Sequence, residues 1–174
     1  MRLVRSTELL PWPRFALRSV TCPEGVPDSI RQVLEQRGVP ERSVGGEYLA
    51  LESAVFLERP EGLLAFGKSG LDGRICVDVY SLEVVHVPTP GGCTINSVNS
   101  NLILFSSCVE AVFSRFPFYS YETVEELGER VAESLREELS RIDSSVGEHN
   151  GFWETFLDDV AIGDYADEEY ERAG

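Results

Sequence analysis

The sequence of 174 residues predicts an α+β domain, a largely antiparallel sheet of about five to six strands flanked by about four helices. Three observations carry that expectation. Between Glu47 and Val98, short apolar runs are cut by turn residues. From Asn99 onward, apolar residues recur at helical spacing instead. A hydrophobic content of 43%, with nine Phe, two Trp and six Tyr, supplies a core able to offset the entropy of ordering the chain. This length fits one domain over residues 1–174, its core running from about 15 to 165 and an acidic tail from 164 to 174.

Taken in order, the prolines of Pro11-Trp12-Pro13 oppose a continuous helix, so the N-terminal segment is expected to be irregular and to lie on the domain's edge. Pro27 to Arg37 carries Ile30, Val33 and Leu34 on one helical face. Ser29 and Gln32 there have the spacing of a capping box, and Gly38 ends the helix. Strands are predicted at Tyr48 to Leu51, Ala54 to Leu57, Leu63 to Phe66, Arg74 to Tyr80, Glu83 to Val87 and Cys93 to Val98, joined by turn-forming segments. Asn99 or Ser100 caps a helix whose face is Leu102, Phe105, Cys108, Val109, Val112 and Phe116, stopped by Pro117. Thr123 and Glu126 open a second helix with Val124, Leu127, Val131, Leu135, Leu139 and Ile142 inward. A last helix spans about Phe152 to Ile162, and the tail from Asp164 is expected to fray.

Gly62 to Ser69 matches the G-x-x-x-x-G-K-[ST] phosphate loop, yet its variable positions, Leu63, Leu64, Ala65 and Phe66, read as a buried strand. Gly70, Asp72 and Gly73 follow where that motif needs a helix to supply the N-terminal dipole. A strand-turn-strand is the expectation. Cys76, Asp78 and His86 could form a nucleophile, orienter and base only in one register. With Ser81 and Leu82 at the turn's centre, Val77 pairs with His86, and Cys76 and Asp78 face the other side of the sheet. Asn96 to Asn101 read as capping and turn residues, and Trp153 with its neighbouring phenylalanines as core. Cys22, Cys76, Cys93 and Cys108 contain no C-x-x-C pair, so buried free thiols are expected, with no metal and no cofactor.

The net charge is −15, from 15 bases against 30 acids, which disfavours direct contact with a nucleic-acid backbone. The excess is C-terminal: residues 122–174 hold 17 acids and 4 bases. Glu122, Glu126, Glu129, Glu133 and Glu137 share one helical face, and Asp158, Asp159 and Asp164 follow. Neighbours four apart on that face repel by a few tenths of a kcal/mol, so the stripe does not stabilise its own helix. It suits contact with a basic partner, whose approach it would steer. No run of about 20 apolar residues exists to span a bilayer, and the first residues lack a secretory signal's apolar stretch, so a cytoplasmic protein is expected.

Several short strings in this order form a resemblance: Gly38-Val39-Pro40, Leu64-Ala65-Phe66-Gly67, Ile75-Cys76-Val77-Asp78, Val98-Asn99-Ser100-Asn101-Leu102, Ile142-Asp143, Phe152-Trp153, Asp158-Asp159 and Gly163-Asp164. Together they resemble the SUKH superfamily of bacterial immunity proteins, most closely its fourth subfamily, over residues 15 to 165. Leu82 stands where the hairpin of that family usually has Gly. The resemblance implies a non-enzymatic α+β protein that binds and neutralises a cognate toxin, many such toxins attacking nucleic acids. The expected partner is a basic toxin domain, with neither nucleic acid nor membrane bound directly. The rival expectations are a non-enzymatic scaffold or regulatory module and, further off, a small nucleotide-binding enzyme.

Overall fold

In the computed structural model, which describes residues 13–148 and 151–165, the sheet and helices follow the expected division of the chain. Residues 1–12, 149–150 and 166–174, on which the expected N-terminal segment and acidic tail fall, lie outside this description. A two-stranded ribbon pairs β1 (Leu17–Arg18) with β2 (Val39–Pro40), across the helical segment α1 (Asp28–Arg31) and its π-helical continuation Gln32–Arg37. The main sheet is a five-stranded antiparallel meander of β3 (Leu49–Phe56), β4 (Leu63–Ser69), β5 (Gly73–Asp78), β6 (Val84–Val87) and β7 (Asn96–Asn99), in sequence order. Three helices follow: α2 (Leu102–Arg115), α3 (Val124–Ile142) and α4 (Gly151–Ile162).

Strand alternation divides the meander into two faces. Leu64, Phe66, Ile75, Val77, Val84 and Val98 join the large core shared with the helices, whereas Leu63, Ala65, Cys76, Val85 and Val87 form a second cluster on the opposite face. Tyr48, Phe66 and Phe105 stand edge-to-face at the centre of the large core, with ring centroids 5.1–6.0 Å apart. The Tyr48 hydroxyl satisfies itself by donating to the Pro40 carbonyl at 2.8 Å.

Several local expectations are corrected. The first helix begins at Asp28 behind Pro27, so Ser29 lies inside the first turn and does not cap it. The two strands expected at 48–51 and 54–57 are one, β3, whose register shifts between Ala50 and Val55. There the bulge turns its backbone toward Thr21, which donates to the Glu52 carbonyl and accepts from Ala54 N–H. The strand expected from Cys93 starts only at Asn96, and Cys93 is exposed while the other three thiols are buried. Asn101, not Asn99 or Ser100, caps α2, its Oδ1 accepting from Leu104 N–H at 2.9 Å. Thr123 accepts from Ser120 N–H at 3.2 Å, closing the 3₁₀ turn before α3 instead of bonding into α3.

The β5–β6 hairpin is closed by Asp78 N–H to the Glu83 carbonyl, so four residues, Val79 to Leu82, form its loop. Val77 therefore pairs with Val84 and Ile75 with His86, in place of Val77 with His86. The slip preserves parity: His86 stays on the Val77 side and Cys76 sits beside Val85 on the other. Leu82 takes the left-handed conformation, φ 70°, that Gly adopts without a steric penalty. The phosphate-loop match is the buried strand β4, followed by a tight turn into β5 and no helix.

Candidate binding surface

Helix α3 is amphipathic because its apolar residues recur at three and four. Ala132, Leu135 and Leu139 are buried, with Val124, Leu127, Val131 and Ile142 half-buried against the same core. The opposite face carries Glu126, Glu129, Glu133 and Glu137, all exposed, and Glu122 extends the line into the preceding turn. Arg136 Nε lies 3.4 Å from Glu133, an ion pair at the solvent edge that offsets part of the repulsion along the stripe.

Helix α4 lies close against α3 because position 128 has no side chain. A Cβ there would stand 2.4 Å from the Ala161 carbonyl oxygen. Gly163, at φ 96°, then ends α4 in a Schellman motif, with Asp164 N–H bonded to the Asp159 carbonyl at 3.0 Å and Gly163 N–H to that of Val160 at 3.3 Å. Tyr119, from the link between α2 and α3, also donates to the Val160 carbonyl. These contacts bring the end of α4 to the first turns of α3. Asp158 and Asp164 are exposed, whereas Asp159 is half-buried and turned toward a cleft. Burial raises the Asp159 carboxyl above its usual range, and the nearby charges of Asp164 and Asp158 raise it further.

That cleft, about 260 Å³, opens between the sheet, the loop joining β2 to β3, and α4. Val109, Val112, Phe152, Trp153 and Phe156 give it an apolar lining, and Glu47, His86, Asn96 and Asp159 are its largest polar groups. Ser43 Oγ donates to Glu47 Oε2 at 2.6 Å, while Glu47 Oε1 is buried with no hydrogen-bond partner among the described residues. His86 rests edge-on to Phe152, and burial lowers its pKa, which keeps the imidazole neutral at neutral pH. The sequence signal for His86 was its strand parity. None existed for Glu47, which reaches the cleft from a loop about forty residues away in the chain.

Behind the cleft lies a buried polar network. Asp143, 3% exposed, accepts from Asn99 Nδ2 (2.9 Å), Ser100 N–H (2.8 Å), Ser100 Oγ (2.8 Å) and Ser145 N–H (3.1 Å). Trp153 Nε1 donates to Asn99 Oδ1 at 3.0 Å, and Asn99 Nδ2 also approaches Cys108 Sγ at 3.4 Å. Desolvation pushes the Asp143 carboxyl up, but the bonds from Ser100, Asn99 and Ser145 outweigh it and hold the pKa below the usual value. Three strings scattered over more than fifty residues thus meet as one cluster that ties β7, α2 and the start of α4 together.

A family model described as SUKH-4 immunity protein matches residues 13–159. That span covers well over half of the chain and includes every residue of the polar network and the cleft. The chain belongs to the SUKH-4 immunity protein family. No curated protein matches it, and no solved structure does. Within this SUKH-4 chain the Cys76–His86 pair that nucleophilic chemistry would need is split across the sheet: Cys76 lies on the face away from His86, and burial pushes its thiol up to about 12. Such a thiol stays protonated at neutral pH. No helix among the described residues is long and apolar enough to cross a membrane.

Proposed function

We propose that this protein neutralises a cognate toxin domain that acts on nucleic acid, by docking the acidic face of α3 over the toxin's substrate groove. The observation that carries this reading is the exposed line Glu122, Glu126, Glu129, Glu133 and Glu137 along α3 and the turn before it, with Asp158 and Asp164 exposed at the end of α4, in a chain of an immunity family. An enzyme that holds DNA or RNA needs a positive groove, and an acidic domain competes with the polyanion for it. Long-range attraction then speeds encounter and salt slows it. Inhibition is by occlusion, with no chemistry on the toxin.

The test uses the toxin whose lethality this protein suppresses on co-expression. Reversal of the stripe, Glu129→Lys with Glu133→Lys and Glu137→Lys, slows association at low ionic strength by about tenfold or more. An unchanged association rate removes α3 from the interface. A toxin inhibited while its groove still binds substrate overturns occlusion.

A further inference from the structure

We propose that the cleft between β6, β7, the β2–β3 loop and α4 is an anchor pocket for a single arginine side chain of the bound protein. The proposal rests on the reading that the partner is a basic protein, and it adds where and how one of its residues is held.

Size, lining and charge argue for it together. At about 260 Å³ the cleft falls below the ~300–1,000 Å³ typical of small-molecule sites, and it suits one long side chain. Among the described residues its lining holds two carboxylates, Glu47 and Asp159, and neither lysine nor arginine. Arg42, the nearest cation on the same loop, is turned to the Ser43 and Val44 carbonyls, at 3.1 and 3.4 Å. His86 is neutral, so it does not neutralise the carboxylates.

The negative charge is also uncompensated. Among the described residues Ser43 serves one oxygen of Glu47 and no hydrogen-bond donor serves the other, which is out of contact with solvent. A carboxylate in that setting gains more from an approaching cation than one in water. Asp159, half-buried on the same cleft, has its carboxyl raised by burial and by the neighbouring charges of Asp164 and Asp158.

Arginine is preferred to lysine by the walls. Phe152 and Phe156 offer aromatic surface to a planar, weakly hydrated guanidinium, and its aliphatic stem covers Val109 and Val112. A purely apolar occupant would displace water from the carboxylates and give them nothing in exchange.

The test is a titration of the full chain, followed by NMR, with Nα-acetyl-arginine methylamide at low ionic strength. Its neutral isostere, the citrulline derivative, and the lysine derivative are run in parallel. The arginine probe shifts the Trp153 indole, Asn96 side-chain and His86 signals saturably, and binds at least tenfold more tightly than citrulline. Glu47→Gln and Asp159→Asn, which keep side-chain shape, each weaken it at least fivefold.

Equal binding of citrulline or of lysine overturns the proposal, as do shifts confined to the α3 stripe or no saturable shifts. Tighter binding by an Arg2→Ala, Arg5→Ala variant would assign the pocket to the chain's own N-terminal segment and equally overturn it. The probe involves no toxin. Arginine binding without rescue of intoxicated cells therefore sinks the immunity reading alone, and rescue without arginine binding sinks only the pocket.

Discussion

Asp143 is a carboxylate at 3% exposure, held by four hydrogen bonds and by no ion pair among the described residues. Asn at this position supplies one acceptor oxygen and turns an NH₂ toward groups that are themselves donors, so Asp143→Asn costs about 3 kcal/mol at neutral pH. The pH dependence follows from the depressed pKa. A carboxyl whose folded pKa lies below its unfolded value of 3.8 adds stability above that value and loses it as pH falls through the folded pKa. Chemical denaturation from pH 7 down to pH 2 will show wild type and variant converging below about pH 4. A gap that is constant with pH would mean the carboxylate's charge is not what the network uses. The sequence showed Asn99, Ser100 and Asn101 as one polar knot with local work to do. Only Asn101 does local work. Asn99 and Ser100 serve a partner more than forty residues away, and no local rule of capping or turns contains that distance.

Helices were the more legible elements, because the 3.6-residue period of α2, α3 and α4 survives in the sequence whatever they pack against. Their ends were less so: capping spacings at Ser29 and Thr123 are satisfied by residues that fall inside turns already formed. In the sheet, the runs marked the strands but not the bulge of β3, where Glu52 and Ser53 are polar because the strand bends there, not because it stops. The hairpin register was off by two residues, Val77 standing opposite Val84 instead of His86, yet Cys76 and His86 still fall on opposite faces, since an even slip preserves parity. Gly128 shows the limit most sharply. By propensity alone Gly128→Ala would stabilise an exposed helix by about 1 kcal/mol. Here the added methyl would meet backbone, the Ala161 carbonyl oxygen at 2.4 Å, and backbone cannot rotate away. The variant should lose about 2 kcal/mol and loosen the α3–α4 contact, read as a lower midpoint in urea and faster amide exchange in α4. An unchanged or higher midpoint would show that the two helices part without cost.

At the scale of the molecule, the acidic C-terminal third was plain from composition, whereas the cleft was not, because its lining comes from the β2–β3 loop, the ends of three strands, and two helices. Fold-level assembly created it. In the proposed complex the two features act at different stages of binding, and that separation is measurable. The stripe on α3 is exposed on the surface, so its charges act through water over distances comparable with the Debye length, about 8 Å at physiological salt. They change the frequency of encounter. Asp159 and Glu47 sit at the wall of a largely apolar cavity, where a charge pair forms only after docking, so their loss changes the lifetime of the complex. With the toxin in hand, the Glu129, Glu133 and Glu137 reversal should lower kon with koff nearly unchanged, and its deficit should fade by about 0.5 M salt. Asp159→Asn should leave kon nearly intact and raise koff by about tenfold or more, a difference that persists at that salt because the cleft is shielded from mobile ions. Both sets acting through koff would place the stripe inside the contact, and both acting through kon would leave the cleft outside it.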